Sequence, residues 1–239
     1  MDRPVREIQM KQQTFQPSPF TFAIEDLMAA LPTHLPTTDK DLTNIQLPGW
    51  RYDEIMESVL HMYETVNAQS MPLPVSDIAH GLGCSLIPYR TYGRQVHDAL
   101  MSASKDALVI QFLGSKRPII MYNDRMPVPR INFSIMHELG HIELGHMEHC
   151  PLAEKEAHYF AGVALCPVDL LEYHGITDPR EIARIFNVSA PFANNRAQSL
   201  MNRKMAARSL TEQKFRDAVI ERFRLKLSPQ MDFLEKLAG

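Results

Sequence analysis

The stretch from about Arg130 to Leu144 carries more apolar side chains than one face of a helix can hold. Ile131, Ile135, Leu139 and Ile142 form one stripe at helical spacing, and Phe133, Met136 and Leu144 occupy much of the rest. A helix apolar on most sides is largely buried. Yet His137, Glu138 and His141 are set into it, and polar groups in such a place are costly unless something satisfies them. Four residues advance a helix about 40° beyond a full turn and raise it about 6 Å. Both imidazoles therefore leave the same face and can share one cation. Zinc suits imidazole and carboxylate ligands and, when catalytic, takes three protein groups plus a water. Glu138 sits near that face, where it can accept a proton from water and return it to a leaving amine. The segment His137-Glu138-Leu139-Gly140-His141 thus predicts a metal-dependent hydrolase. The plain alternative is a core helix whose histidines bond to backbone carbonyls.

A third ligand has to come from elsewhere. Pro151 suits the first turn of a second helix, running to about Cys166 and stopped by Pro167. Its apolar face is marked by Ala157, Phe160, Ala161, Ala164 and Leu165. At 100° per residue, Glu154 lies about 50° from the centre of that face and Glu156 about 110° away on the other side. Glu154 is therefore expected to point inward, near His141, with Glu156 the alternative. His158, four residues after Glu154, is placed to orient a ligand or stabilise an oxyanion, a role also open to Tyr122. His146, His149 and Cys150 fill the loop between the helices and remain further candidate ligands.

Around this pair the chain divides into three parts. Residues 1–49 are rich in Pro, Gln and Thr and read as an extended arm, with Phe20–Phe22 and Leu27–Leu31 as apolar patches able to dock. Residues 50–205 form the main domain. It opens with a helix from Trp50 to about Val66, a short helix Val75–Gly81, and a strand Cys84–Tyr89. Ala107–Leu113 and Pro118–Tyr122 read as a hairpin around Gly114-Ser115-Lys116. Asn123-Asp124, Pro127 and Pro129 break the chain before the central helix, and Gly145 caps its end. Asp178–Phe186 and Ser189–Leu200 form a helix pair, and residues 206–239 are a C-terminal helical extension, helical from about Thr211 to Leu225. A net charge of −3 gives no global signal for nucleic acid or an anionic membrane. Three widely spaced cysteines suggest reduced thiols, and the first residues lack the apolar run of a secretory signal, so a cytoplasmic protein without a membrane span is expected.

Several of these segments together resemble the ImmA/IrrE family of metallopeptidases. The matching runs are Ile119–Asn123, Arg130–His141, Glu154-Lys155-Glu156-Ala157-His158-Tyr159-Phe160-Ala161 and Cys166-Pro167, with Leu73–Ala79 upstream and Ile182–Ser189 downstream. Asn or Asp is usual in the family where this chain has His158. The resemblance implies an α+β, gluzincin-like fold, with a small twisted sheet packed beside a two-helix active site and additional helices. It implies Zn2+ held by His137, His141 and Glu154, with Glu138 as the base. It further implies an endopeptidase that cleaves a helix-turn-helix transcriptional repressor, so relieving repression in prophage, mobile-element or stress-response control.

Two other functions compete. Arg180, Arg184, Arg196 and Arg203 on the 178–203 helix pair would suit a DNA-binding regulator, although direct nucleic-acid binding is not expected. A closed four-ligand metal including Cys150 would suit a non-catalytic zinc-binding interaction module.

Overall fold

The computed structural model describes residues 27–29, 31, 45–111, 117–147, 150–203 and 208–223. Phe20–Phe22, the turn at 114–116 and His149 lie outside the described residues. The described elements run α1 (Gly49–Thr65), α2 (Val75–Gly81), β1 (Ser85–Pro88), α3 (Arg94–Ala103), β2 (Ala107–Ile110), β3 (Ile119–Tyr122), α4 (Val128–Glu143), α5 (Pro151–Leu165), α6 (Val168–Tyr173), α7 (Pro179–Phe186), α8 (Ala190–Arg203) and α9 (Leu210–Phe223). This is a mixed α+β molecule, mostly helical, with one small sheet.

The three strands lie in the order β1-β3-β2. β3 pairs parallel with β1, Ser85 opposite Ile119, and antiparallel with β2, Ala107 opposite Tyr122. Alternation along a strand sends neighbours to opposite faces, and here it divides two cores. Ile120 and Ala107 face a large core shared with Ile135, Met136 and Leu139 of α4. Ile119, Met121, Leu108 and Ile110 face a smaller one with Val96 and Leu100 of α3. Leu27 is buried in that second core and Leu31 packs on it, so this patch of the N-terminal arm docks against the sheet.

α4 begins two residues earlier than the prolines suggest. Pro127 is its N-cap and Pro129 lies within the first turn, where a missing N–H has no helical partner to lose. The approach is organised by buried Asn123, whose side-chain amide donates to the Lys105 carbonyl at 2.9 Å and whose Oδ1 accepts from the Arg125 N–H at 3.1 Å. Arg130 then forks onto Asp106 at 2.6 and 2.8 Å, tying the start of α4 to the start of β2. Gly145, at φ +67°, ends α4 in a left-handed cap; its N–H reaches the Ile142 carbonyl and the His146 N–H the His141 carbonyl. Two short helices, α3 and α6, were not expected. Pro167, read as a stop for α5, is also the N-cap of α6.

α5 lies between α1 and α4. Tyr63 of α1 donates its buried hydroxyl to the Ala164 carbonyl at 2.7 Å. Against α4 the approach is closer still. A Cβ placed on Gly140 would lie 3.2 Å from Ala157 Cα, the Ala157 carbonyl oxygen and Phe160 Cβ. Small residues at 140 and 157 thus let the two helices meet backbone to backbone, which sets the distance between the side chains they carry.

Candidate metal centre

At this crossing three expected side chains come together. His137 and His141 leave the same face of α4, with their Nε2 atoms 3.1 Å apart. Glu154, in the first turn of α5, places Oε2 3.1 Å from His137 Nε2 and Oε1 3.4 Å from His141 Nε2. A tetrahedral zinc ion bound at about 2.0–2.1 Å sets its ligand atoms about 3.3–3.4 Å apart. The three groups therefore span distances, and offer a donor chemistry, that fit such an ion. They are the group of metal-capable side chains found among the described residues, with all three ligand atoms within 4.8 Å of one another.

Electrostatics favour the neutral, ligand-ready form of His141. Its pKa is held below the usual histidine value, first because the ring is buried, against a partial opposing pull from the Glu154 hydrogen bond. Glu138 is buried on the same helix. Its charge, after burial, helps push the Tyr89 phenol upward, so the carboxylate lies within electrostatic reach of that ring beside β1. Phe133 closes one side of the cluster, its ring 6.2 Å from that of His137 and 5.1 Å, edge-on, from that of His158. Tyr122 ends β3, partly buried against the main core.

One expectation about α5 fails. The helical wheel set Glu156 away from the core, yet its side chain is only 7% exposed against 19% for Glu154. α5 is buried nearly all round, from Ala153 and Glu156 through Phe160 to Leu165, so no single apolar face defines inward. Glu156 turns instead to Arg51 of α1, which forks onto it through Nε at 2.9 Å and Nη2 at 2.5 Å. The guanidinium holds this carboxyl below the usual carboxylate range.

The loop residues also take other places. His146 bridges, with Nδ1 2.9 Å from His141 Nδ1 and Nε2 2.9 Å from Glu156 Oε2. It touches the cluster from behind His141 rather than from the side of Glu154. Cys150 is the N-cap of α5, its sulfur accepting the Ala153 N–H at 3.5 Å. A depression of about 510 Å3 is lined by Arg51, Glu54, Glu57, Ser58, His61, Glu143 and Leu144, and none of His137, Glu138, His141 or Glu154 contributes to it. Arg51 carried no signal in the sequence that linked it to the site, 105 positions away from Glu156.

No helix among the described residues is long and apolar enough to cross a membrane. A search of the curated proteins finds no match to the chain. Residues 93–198 match the family model described as Peptidase_M78, IrrE N-terminal-like domain, and both α4 and α5 lie inside that match while α1 lies outside it. That segment, a little under half of the chain, is thus similar to the IrrE N-terminal-like peptidase domain, in line with the ImmA/IrrE resemblance of the sequence.

Proposed function

We propose that the chain is a zinc-dependent endopeptidase, with His137, His141 and Glu154 as metal ligands and Glu138 as general base. The observation that carries this is the convergence of two Nε2 atoms and one carboxylate at 3.1–3.4 Å on the α4–α5 crossing, inside a peptidase-family domain. When bound there, a zinc ion polarises a carbonyl and lowers the pKa of water to about 7. The remaining steps fall to the chain's own groups. Glu138 takes a proton as the water oxygen attacks the scissile carbonyl carbon. It delivers that proton to the amide nitrogen as the C–N bond breaks, giving a carboxylic acid and an amine that exchange the remaining proton to become carboxylate and ammonium. Burial, which lowers the His141 pKa, favours the neutral ring that can bind a cation.

The substrate proposed is a helix-turn-helix repressor, as the resemblance of Arg130–His141 and Glu154–Ala161 to the ImmA/IrrE peptidases implies. The geometry gives less support to the alternatives. Arg196 is buried and donates to the Cys166 carbonyl at 2.9 Å, and Arg203 lies 3.4 Å from Asp169, so two of the four arginines considered for DNA serve the interior. Cys150 caps α5 and stands apart from the three-residue group.

The test is to incubate purified, zinc-loaded protein with candidate helix-turn-helix repressors and map products by mass spectrometry. Cleavage is expected from the wild type. A Glu138→Gln variant is expected to lose about 10²–10⁴-fold in rate, the range for a general acid–base group, while keeping its zinc. Undiminished proteolysis by metal-replete Glu138→Gln protein would refute the assignment.

A further inference from the structure

Behind His141 runs a continuous chain of side chains that the peptide chemistry does not use. Arg51 on α1 holds both oxygens of Glu156 on α5. Glu156 Oε2 lies 2.9 Å from His146 Nε2, and His146 Nδ1 lies 2.9 Å from His141 Nδ1. Every member is largely buried: side-chain exposure is 22% for Arg51, 7% for Glu156, 10% for His146 and 4% for His141.

Hydrogen-bond accounting sets the protons along this chain. A carboxylate only accepts, so the His146 nitrogen facing it carries the hydrogen. In the neutral ring the other nitrogen is then an acceptor. Two ring nitrogens at 2.9 Å need one hydrogen between them, so it sits on His141 Nδ1. His146 thus draws the His141 hydrogen to Nδ1, against the Glu154 carboxylate 3.4 Å from Nε2, which favours a hydrogen on that side, and so presents the Nε2 lone pair that a cation needs.

We propose that Arg51, Glu156 and His146 are positioning residues that lock His141 in the tautomer and orientation that presents Nε2 to the metal. This rests on the metal-centre assignment above. It makes α1, which lies outside the peptidase-family match, a working part of the centre. Partners of this kind behind a ligating histidine affect metal affinity about 10–100-fold.

Zinc affinity of the full chain, read by competition with a chromogenic chelator, tests the proposal. His146→Leu should weaken zinc binding about 10–100-fold, and Arg51→Met should weaken it less. His146→Asn keeps an acceptor near the position of Nδ1 and should recover most of the loss. Proton–nitrogen correlation spectra of histidine-labelled wild-type protein, without metal, read the tautomers directly and need no variant to fold. Protons on His146 Nε2 and His141 Nδ1 are expected. Zinc affinity of folded His146→Leu within twofold of wild type, or a wild-type His141 protonated at Nε2, would overturn the proposal. A wild type that binds no zinc at all would instead sink the metal-centre assignment, and the metal-free spectra would still decide the tautomers.

Discussion

Glu154 and Glu156 stand two residues apart on one helix and meet opposite surroundings. Glu154 faces two imidazoles across the α4–α5 crossing and remains partly open to solvent. Glu156 faces a guanidinium and a third imidazole from the opposite side and is more deeply buried. The first arrangement gathers electron-pair donors, the mark of a place for a cation. The second gathers charge-compensating donors around a carboxylate, the mark of a built ion pair. Equal residue type and near-equal position along α5 thus produce a candidate ligand on one side and its buttress on the other.

Removing each carboxylate in turn separates the two roles. Glu154→Ala should have the largest effect on metal, lowering zinc affinity by more than the about 10–100-fold that an outer partner costs. It should leave the thermal midpoint of the metal-free protein nearly unchanged, as calorimetry would show. Glu156→Ala should do the reverse in emphasis. It strands Arg51 and His146 without their acceptor, and breaking a fully buried pair costs about 3–5 kcal/mol. With Arg51 partly solvated, a loss of about 2–3 kcal/mol by urea denaturation is expected. Equal zinc affinities for Glu154→Ala and wild type would erase the distinction.

The crossing itself offers a second way to disturb both sides at once. Gly140→Val puts methyl groups against the Ala157 backbone, where even a single Cβ would already stand at 3.2 Å. Overpacking of this kind costs about 1–3 kcal/mol, and the forced separation should move Glu154 away from the histidines. Stability and zinc affinity should fall together, unlike in either carboxylate variant.

The smallest effect is on pH dependence. Burial raises the Glu156 carboxyl, but the Arg51 hydrogen bond outweighs it and the folded pKa lies below the usual value of 4.5. A depressed folded pKa means stability that is fully present above the unfolded value and lost as pH falls through the folded one. Wild type should therefore exceed Glu156→Gln in stability at neutral pH, and the gap should narrow progressively below about pH 4.5. A gap unchanged down to pH 2 would show that the charge on Glu156 contributes nothing.

The two sides also differed in how legible they were. The candidate ligands lie on α4 and α5, two long helices with proline starts and, for α4, a glycine end, so their periodicity and the His137/His141 spacing could be read locally. The hairpin of β2 and β3 was likewise visible from its apolar runs. The buttress was not. It joins Arg51 to Glu156 over 105 positions, and no local pattern records a contact of that length. The wheel misjudged Glu156 because it assumes one apolar face, whereas α5 is enclosed by both α1 and α4. Helix α6 was hidden because six residues are too few to show a period and Pro167 signals an ending as readily as a start. The ten-residue α3 also went unread, although Val96 and Leu100 bury one face of it.

His137, His141 and Glu154 are proposed to form one metal site. Anomalous diffraction at the zinc edge, from crystals of the zinc-loaded protein, tests it most directly. One strong peak is expected about 2.0–2.2 Å from His137 Nε2, His141 Nε2 and a Glu154 carboxylate oxygen. A peak bound instead by Glu156, His146 or Cys150, or none at the α4–α5 crossing, would contradict it.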